Sequence, residues 1–421
     1  MGRPWRDHPS WDVVRDASDV AGRDLEHLLV EAAADELTET RNAQLATFIM
    51  GLVVLDAVER LGIEPTACAG HSVGEYTALV AAGAVGFDDA IRLVAERGEA
   101  MQEAAEENPG VMLALDGVDD ETARIACRRS DGDVWMANSN APTECVIAGR
   151  REDAYRAAEI AVELGATRVR ELKVSGAFHT SLMTPARPRL RKAIEATTFY
   201  PLAMPVVANV DALPHDAPDE WPALMSAQLR SPVRWRQTVL SLAAILRTGE
   251  WDGDSLFCEL GPGGPLSAMI RATIPQAITV AIAVPDDLDT LVATLTGETA
   301  TPGANLADGH QGERLYVSER LVISPCAGIF ELPAVGPGDE AGQLAPSPGG
   351  PETGAFENDA PATAAQAADL VPGNPVAIGD LLGSVSGTEV RSPFAGELMG
   401  VLAHSGERVQ AGQPIAWLRS H

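Results

Sequence analysis

The pentapeptide Gly-His-Ser-Val-Gly at residues 70–74 places a serine between two glycines, after a short apolar segment and before a helical pattern. Glycines at these positions allow a sharp turn from strand to helix, which lifts the hydroxyl of Ser72 out of the sheet. The backbone N–H of Val73 then lies at the start of the helix, where it can donate to an oxyanion on an attacked carbonyl. A serine that only caps a helix after a tight turn is the alternative, and the pentapeptide alone leaves both interpretations open.

A nucleophilic serine needs a base, and of the eight histidines only His179 stands where a base is useful. His179 ends the segment Val-Ser-Gly-Ala-Phe-His, in which a strand leads into a loop of small residues, a suitable position for a general base. The alternative for His179 is a loop histidine with only a structural role. His71 adjoins the serine, but the geometry of the turn points its ring away from the hydroxyl. We therefore expect His71 to shape the pocket.

The elements that must position these residues follow from apolar periodicity. Helical and strand-like patterns alternate from about Ala17 to Leu93 and again from Pro205 to Ala283, which predicts a parallel sheet flanked by helices. Between them, residues of about 110–173 follow the order β-α-β-β-α-β, which predicts a ferredoxin-like insert. The predicted fold class is α/β, with a parallel-sheet, hydrolase-like core that contains this insert.

Composition excludes several classes of function. The chain has 421 residues, a length that indicates two or three domains. Its formal net charge of -29 argues against binding to nucleic acid or to an anionic membrane. The longest apolar run, Leu45 to Leu55, is about half the length that a bilayer span needs, so it predicts a buried helix. The N-terminus shows no targeting pattern, so we expect a cytoplasmic protein. The five scattered cysteines predict neither a zinc site nor a disulfide framework.

Seven motifs resemble, in their order along residues 1–295, the malonyl-CoA:acyl carrier protein transacylases and the acyltransferase domains of polyketide synthases. The resemblance implies that Ser72 and His179 form a dyad. In the implied reaction, Ser72 takes a malonyl group from malonyl-CoA as an acyl-enzyme and passes it to the pantetheine thiol of an acyl carrier protein. It also implies that backbone carbonyls, rather than a third acid, orient His179. The motifs are GHSVGEYTALVAAGAV, LVAERG, NSN, VSGAFHTSLM, NVD, QLRSPVRW and ELGPG.

The same resemblance implies how the substrate is bound. Arg97 corresponds to the arginine that binds the free carboxylate of the malonyl group, a task that suits a planar guanidinium. Without the resemblance, Arg97 would be interpreted as an exposed residue on an amphipathic helix. Val73 and Phe178 resemble the malonyl-selective pattern, since Phe178 would crowd an α-methyl branch, although such discrimination is worth only ~1–3 kcal/mol. Gln44 resembles a pocket glutamine of the family.

The chain departs from the family at its beginning. Family members start with a strand and a Phe-Pro-Gly-Gln-Gly-like loop whose glutamine N–H completes the oxyanion hole, and this chain starts just after that point. The N-terminal strand is therefore missing from the predicted first domain, residues 1–297. Either Met1 is an internal methionine of a longer protein or the protein is truncated and inactive, and the presence of every other motif favours the first interpretation.

Two other functions remain open alternatives. A hydrolase of acyl thioesters would use the same dyad with water in place of the thiol. Arg97 argues against a hydrolase unless its substrate is a carboxyacyl group. A non-catalytic scaffold is the second alternative.

The composition changes after residue 297 to Thr, Pro, Gly, Ala and Asp, which predicts a flexible linker at 298–317. Beyond it, Ser-Pro-Cys-Ala-Gly-Ile at 324–329 recurs as Ser-Pro-Phe-Ala-Gly-Glu at 392–397. The repeat predicts an all-β domain of two similar halves over 318–421. A segment at about 333–370, rich in Pro, Gly and Ala, is predicted to be a disordered loop.

This repeat resembles the barrels of biotinyl and lipoyl carrier domains, in which a hairpin bears the modified lysine. The corresponding turn, Val385 to Glu389, contains no lysine, and none follows Lys192 anywhere in the chain. Attachment of biotin or lipoate through an amide is therefore excluded, and we expect no cofactor. A docking or spacer role remains, with a carboxylase or synthase component as the partner.

Overall fold

The computed structural model describes residues 1–248 and 256–296. Further along, it describes residues 319–323, 328–332, 374–377, 380–392, 396–401, 403, 405, 408–409 and 414–419. The chain divides into two compact units, Met1–Ala304 and Asn305–His421. The predicted linker at 298–317 and the predicted disordered loop at about 333–370 lie outside the described residues.

The helices of the first unit surround short strands. They are α1 (Asp12–Ala21), α2 (Leu25–Val30), α3 (Ala34–Thr38), α4 (Thr40–Arg60), α5 (Gly74–Ala81), α6 (Phe87–Glu107), α7 (Asp120–Ser130), α8 (Arg151–Glu163), α9 (Arg187–Glu195), α10 (Trp221–Gln228), α11 (Trp235–Thr248), α12 (Pro265–Thr273) and α13 (Asp287–Thr296). The strands are β1 (Cys68–Ala69), β2 (Val111–Asp116), β3 (Val134–Ala141), β4 (Glu144–Gly149), β5 (Arg168–Glu171), β6 (Val206–Val207), β7 (Pro214–His215), β8 (Leu256–Leu260) and β9 (Ile278–Ile282).

Parallel strand pairs form the centre of this unit, as the alternating pattern predicts. β1 lies parallel to β6, with Cys68 opposite Val206, and β7 adds to β6 in the antiparallel direction. β8 lies parallel to β9, with Leu256 opposite Ile278. Since the chain leaves β1 directly into the serine pentapeptide, the carboxyl end of this strand positions Ser72.

The insert has the predicted β-α-β-β-α-β order. Its four strands form one antiparallel sheet in the order β3-β4-β2-β5, and α7 and α8 pack on it. Leu113, Ile147 and Ala157 belong to an apolar cluster of its own, separate from the main core. The insert is therefore a packed layer with its own core.

The apolar run from Leu45 to Leu55 lies in the middle of α4, as a buried helix. Leu45, Phe48, Ile49 and Val53 are completely buried in the main core. Among the described residues, α4 is the one helix that is long and apolar enough to cross a membrane, and 72% of its apolar window is buried inside the protein. Its apolar side chains therefore already have partners within the fold.

The described residues of the second unit lie mainly in strands. These are β10 (Glu319–Ile323), β11 (Gly328–Glu331), β12 (Pro375–Val376), β13 (Leu381–Val385), β14 (Thr388–Arg391), β15 (Gly396–Val401), β16 (Arg408–Val409) and β17 (Pro414–Arg419). They form two antiparallel sheets, in the orders β10-β17-β15-β12 and β14-β13-β11-β16, which share an apolar cluster. Ser386 and Gly387 join β13 to β14 with φ of 48° and 86°, the two positive values that a type I′ hairpin turn requires.

Candidate active site

A strained turn presents Ser72 between β1 and α5. Its φ is 54°, a left-handed value that is uncommon for serine and that functional sites often retain. Asn209, in the loop after β6, holds the turn: its Oδ1 accepts from the N–H of Ser72 at 2.8 Å, and its Nδ2 donates to the carbonyl of Gly70 at 2.7 Å. The turn is thus fixed from a segment remote in the chain.

The structure brings Ser72 and His179 together, although 107 positions separate them in the sequence. The Oγ of Ser72 lies 2.8 Å from Nε2 of His179, and the other ring nitrogen, Nδ1, lies 3.0 Å from the backbone carbonyl of Gln228. Because a carbonyl can only accept, Nδ1 carries the proton and Nε2 is free to accept one from the serine. A backbone carbonyl therefore orients the imidazole, as the family resemblance implies.

The environment of His179 keeps its imidazole neutral. The side chain is only 4% exposed. Burial, together with the positive charge of Arg97, lowers the pKa of His179 to about 3. His179 is thus available as a proton acceptor throughout the neutral pH range.

Arg97 points at the same hydroxyl and is completely buried, so the alternative of an exposed arginine on an amphipathic helix does not hold. Its Nη2 donates to Ser72 Oγ at 3.1 Å and to Gln228 Oε1 at 3.0 Å, and its Nη1 donates to Gln44 Oε1. The guanidinium carbon lies 5.2 Å from the ring centroid of Tyr76. Burial lowers the pKa of Arg97, but a guanidinium stays charged at neutral pH.

Within the part of the chain that the structure describes, the hydrogen-bond acceptors of Arg97 are neutral oxygens of Gln44, Ser72 and Gln228. A buried cation without an anionic partner at hydrogen-bond distance is costly, so the site favours an anionic ligand next to Ser72. This is the electrostatic requirement of a carboxyacyl substrate.

Three polar residues that sequence reasoning did not single out complete the site. Glu75 accepts from the N–H of Asn209 and from Nε2 of Gln228, both at 2.6 Å. Gln228 Nε2 also donates to the carbonyl of Ser72 at 2.9 Å. Each lies within a motif that carries the family resemblance, so membership of these motifs was the available signal.

The other predicted pocket residues lie around this centre. His71 turns away from the hydroxyl, as predicted: its Nε2 lies 3.1 Å from Asn140 Oδ1, and its ring lies 5.6 Å from that of Trp235. Gln44 accepts a hydrogen bond from Arg97. Phe178, which precedes His179 in the chain, is buried in the main core.

A large apolar cavity adjoins the site. Its volume is about 1080 Å³, and its lining includes His71, Val73, β1 and β8. Within the described ranges, β1 pairs only with β6 and β8 only with β9, so each strand presents an unpaired edge. The cavity is lined by residues of both of these strands.

The described residues contain no group of three or more His, Cys, Asp or Glu that could hold a metal ion. The chemistry that the geometry supports is that of Ser72, His179 and Arg97: nucleophilic attack, proton transfer and binding of an anion.

Comparisons with known proteins agree with this geometry. A family model described as an acyl transferase domain matches residues 12–285. The malonyl CoA-acyl carrier protein transacylase of Bacillus subtilis is 37% identical over 277 residues, which cover 65% of this chain and 85% of that protein.

Solved structures show the same similarity. An acyl carrier protein S-malonyltransferase from Vibrio cholerae aligns with a TM-score of 0.62 and 33% identity, covering 67% of this chain and 91% of its own. A malonyl-transacylase in complex with its type II PKS acyl-carrier protein aligns with a TM-score of 0.65 and 32% identity. The alignment covers 71% of this chain and 95% of that one.

Proposed function

The chain belongs to the acyl transferase domain family, and we propose that it transfers a malonyl group from malonyl-CoA to the pantetheine thiol of an acyl carrier protein. The observation that carries the proposal is that Ser72 Oγ lies within hydrogen-bond distance of both His179 Nε2 and Arg97 Nη2. The contact with His179 activates Ser72 as a nucleophile, and Arg97 supplies a cation for the carboxylate of the substrate. The similar proteins named above, which act on malonyl-CoA and an acyl carrier protein by name, support this substrate and partner.

In the first half-reaction, Ser72 Oγ attacks the thioester carbonyl of malonyl-CoA and His179 Nε2 takes the serine proton. The oxyanion that forms accepts from the N–H of Val73 at the start of α5. The carbon–sulfur bond then breaks, the sulfur takes the proton from His179, and free CoA leaves a malonyl ester on Ser72. In the second half-reaction, the pantetheine thiol repeats these steps in reverse and regenerates the free hydroxyl.

The malonyl carboxylate also assists the base. In the free enzyme the charge of Arg97 is one cause of the lowered pKa of His179, after burial. A carboxylate bound to Arg97 offsets that charge and makes His179 more basic when a carboxyacyl donor is present. Binding and activation are thereby coupled, which favours malonyl over neutral acyl donors.

The test is to incubate the protein with radiolabelled malonyl-CoA and to identify the labelled residue by peptide mapping. We expect label on Ser72, no label in Ser72→Ala, and acylation about 10²–10⁴-fold slower in His179→Ala. Ser181→Ala, which removes an exposed hydroxyl near His179, is the matched control and should label as the wild type does.

Addition of holo acyl carrier protein then distinguishes the alternatives. Transfer of label to the carrier supports the proposed function. Rapid loss of label to water would indicate a hydrolase, and a wild type that takes up no label would indicate a scaffold.

We further propose that one more strand fits between β1 and β8. The open edges of these strands and the apolar cavity between them support this, because an added parallel strand would pair on both sides and bury apolar side chains. Parallel strands end at the same edge of a sheet, so the residue after the added strand would lie near Ser72 and could donate a second N–H to the oxyanion. An N-terminal extension carrying such a strand is expected to raise the acylation rate on the order of 10²-fold, and an unchanged rate would contradict this.

The second unit has a proposed role without a cofactor. We propose that the hairpin between β13 and β14 corresponds to the turn at which the resembled carrier domains bear their lysine; it carries Ser386 and Gly387. We propose that this unit is an unmodified carrier-like barrel that docks a carboxylase or synthase component, and that the protein works in the cytoplasm. Copurification of such a component with the full chain, and its loss when the hairpin is altered, would test the docking role.

A further inference from the structure

Glu75 is a fully buried carboxylate beside the nucleophile, and the proposed reaction gives it no role. It lies in the first turn of α5, three residues after Ser72. A buried carboxylate is costly unless strong donors satisfy it. Its two short hydrogen bonds, from Asn209 and from Gln228, show which groups satisfy it.

Both donors belong to segments that hold the reacting groups. Asn209 binds the N–H of Ser72 and the carbonyl of Gly70, so it fixes the turn that presents the nucleophile. Gln228 accepts from Nδ1–H of His179 through its backbone carbonyl, so it fixes the base. One carboxylate thus ties both the loop after β6 and the end of α10 to the nucleophile helix.

The carboxylate also sets the orientation of the Gln228 side chain. Glu75 and the carbonyl of Ser72 can only accept, so the amide nitrogen of Gln228 must face them. The amide oxygen then faces Arg97 and accepts from Nη2 at 3.0 Å. Reversal of this amide would place a donor against the guanidinium, so Glu75 determines how Arg97 is held.

We propose that Glu75 is a positioning residue whose ionised carboxylate fixes Asn209 and Gln228, and through them the arrangement of Ser72, His179 and Arg97. This inference rests on the proposed function, because it concerns the same site. Glu75 contacts neither the substrate nor the reacting atoms and acts through its two donors.

The charge state of Glu75 makes the arrangement sensitive to pH. Burial raises the pKa of Glu75 to about 7, against the hydrogen bonds from Asn209 and Gln228 and the charge of Arg97, which lower it. Asp211, in the loop after β6, raises the pKa further, and Tyr76 is the neighbouring titratable group on α5. As the pH falls through about 7, the carboxylate of Glu75 takes up a proton. One of its oxygens, which had accepted a hydrogen bond, becomes a hydroxyl that faces a donor. His179 stays neutral there, so loss of activity reports on Glu75.

The test uses a fluorophosphonate, which reacts with activated serines and needs neither malonyl-CoA nor a carrier protein. Ser72 Oγ forms a bond to phosphorus, fluoride leaves, and His179 takes the proton. For the wild type we expect the rate to fall on the acid side with a midpoint near the pKa of about 7. For Glu75→Gln we expect a rate on the order of 10²-fold lower, with no acid limb.

Two further variants separate positioning from stability. Glu75→Asp keeps the charge and should show an intermediate rate with the acid limb retained. Glu259→Gln is the matched control, because Glu259 is also a buried carboxylate, accepting from the N–H groups of Leu266 and Ser267. We expect it to lower the Tm and to leave the acid limb unchanged.

An unchanged acid limb in Glu75→Gln overturns the inference, as does an equal change of the limb in Glu259→Gln. If Glu75→Gln does not fold, Glu75→Asp decides, since loss of its acid limb overturns the inference and retention supports it. The reagent separates this result from the proposed function: a wild type that reacts with the fluorophosphonate but takes up no malonyl label contradicts only the proposed function.

Discussion

At the scale of single residues, Ser72 Oγ lies between a neutral base and a buried cation. His179 can accept its proton because a backbone carbonyl holds the opposite ring nitrogen in the protonated form. Arg97 is held by neutral oxygens and so keeps a full positive charge beside the nucleophile. Reactivity toward a carboxyacyl group thus follows from two contacts to one atom.

The choice of acyl donor should depend on Arg97. In Arg97→Gln the carboxylate of a malonyl donor loses a charge-assisted contact worth about 1.5–3 kcal/mol, which corresponds to roughly a 10–10²-fold loss in kcat/KM for malonyl-CoA. Acetyl-CoA, which has no carboxylate, should lose little, because removal of the cation also raises the pKa of His179 toward its ordinary value. Competition between the two labelled donors measures the ratio, and an equal loss for both would contradict this role.

At the scale of elements, the turn between β1 and α5 is the decisive feature. A Cβ atom built on Gly70 would lie 1.9 Å from the carbonyl carbon of Gly74 and 2.4 Å from the N–H nitrogen of Glu75. These are backbone atoms of the helix start, so only a glycine lets the end of the strand pass under α5. Gly74, by contrast, has open space where its Cβ would be. The two glycines of the pentapeptide therefore have different roles.

Alanine substitutions should separate those roles. Gly70→Ala forces the backbone apart and is expected to lower the free energy of unfolding by about 1–3 kcal/mol or more and to abolish acylation. Gly74→Ala meets no atom and lies at a helix start, so its stability should stay within about 1 kcal/mol of the wild type. Chemical denaturation of both variants measures the difference. Equal destabilisation would show that the packing at Gly70 is not the cause.

At the scale of the whole molecule, two units with different architectures share one chain. The first, Met1–Ala304, contains the α/β core and the insert, and the described residues of the second form antiparallel sheets. The hairpin turn of the second unit has the compact two-residue form that places a side chain at an exposed tip. Serine and glycine at this tip offer no amine for acylation.

Treatment with a biotin ligase should therefore leave the second unit unmodified. The two lysines of the chain, Lys173 and Lys192, both belong to the first unit. After incubation of the full chain with biotin, ATP and a ligase, we expect the intact mass to stay unchanged while a known carrier domain in the same tube gains biotin. An adduct that maps to residues 319–421 would contradict the prediction.

The sequence by itself determined the local features, because these depend on near neighbours in the chain. The pentapeptide at 70–74 predicted the strained turn, and periodicity predicted α4 and the order of the insert. His71 was also predicted to face away from the hydroxyl, since that direction follows from the turn itself.

Only the tertiary structure decided which distant residues meet and how far they are buried from water. Arg97 lies on the buried face of α6, but the neutral oxygens that hold its guanidinium come from other segments, which the helical pattern does not identify. The role of Glu75 depends on Asn209 and Gln228, more than 130 positions away, so no local pattern could reveal it. Charge, burial and hydrogen bonding act through space, and their balance exists only once the segments have packed.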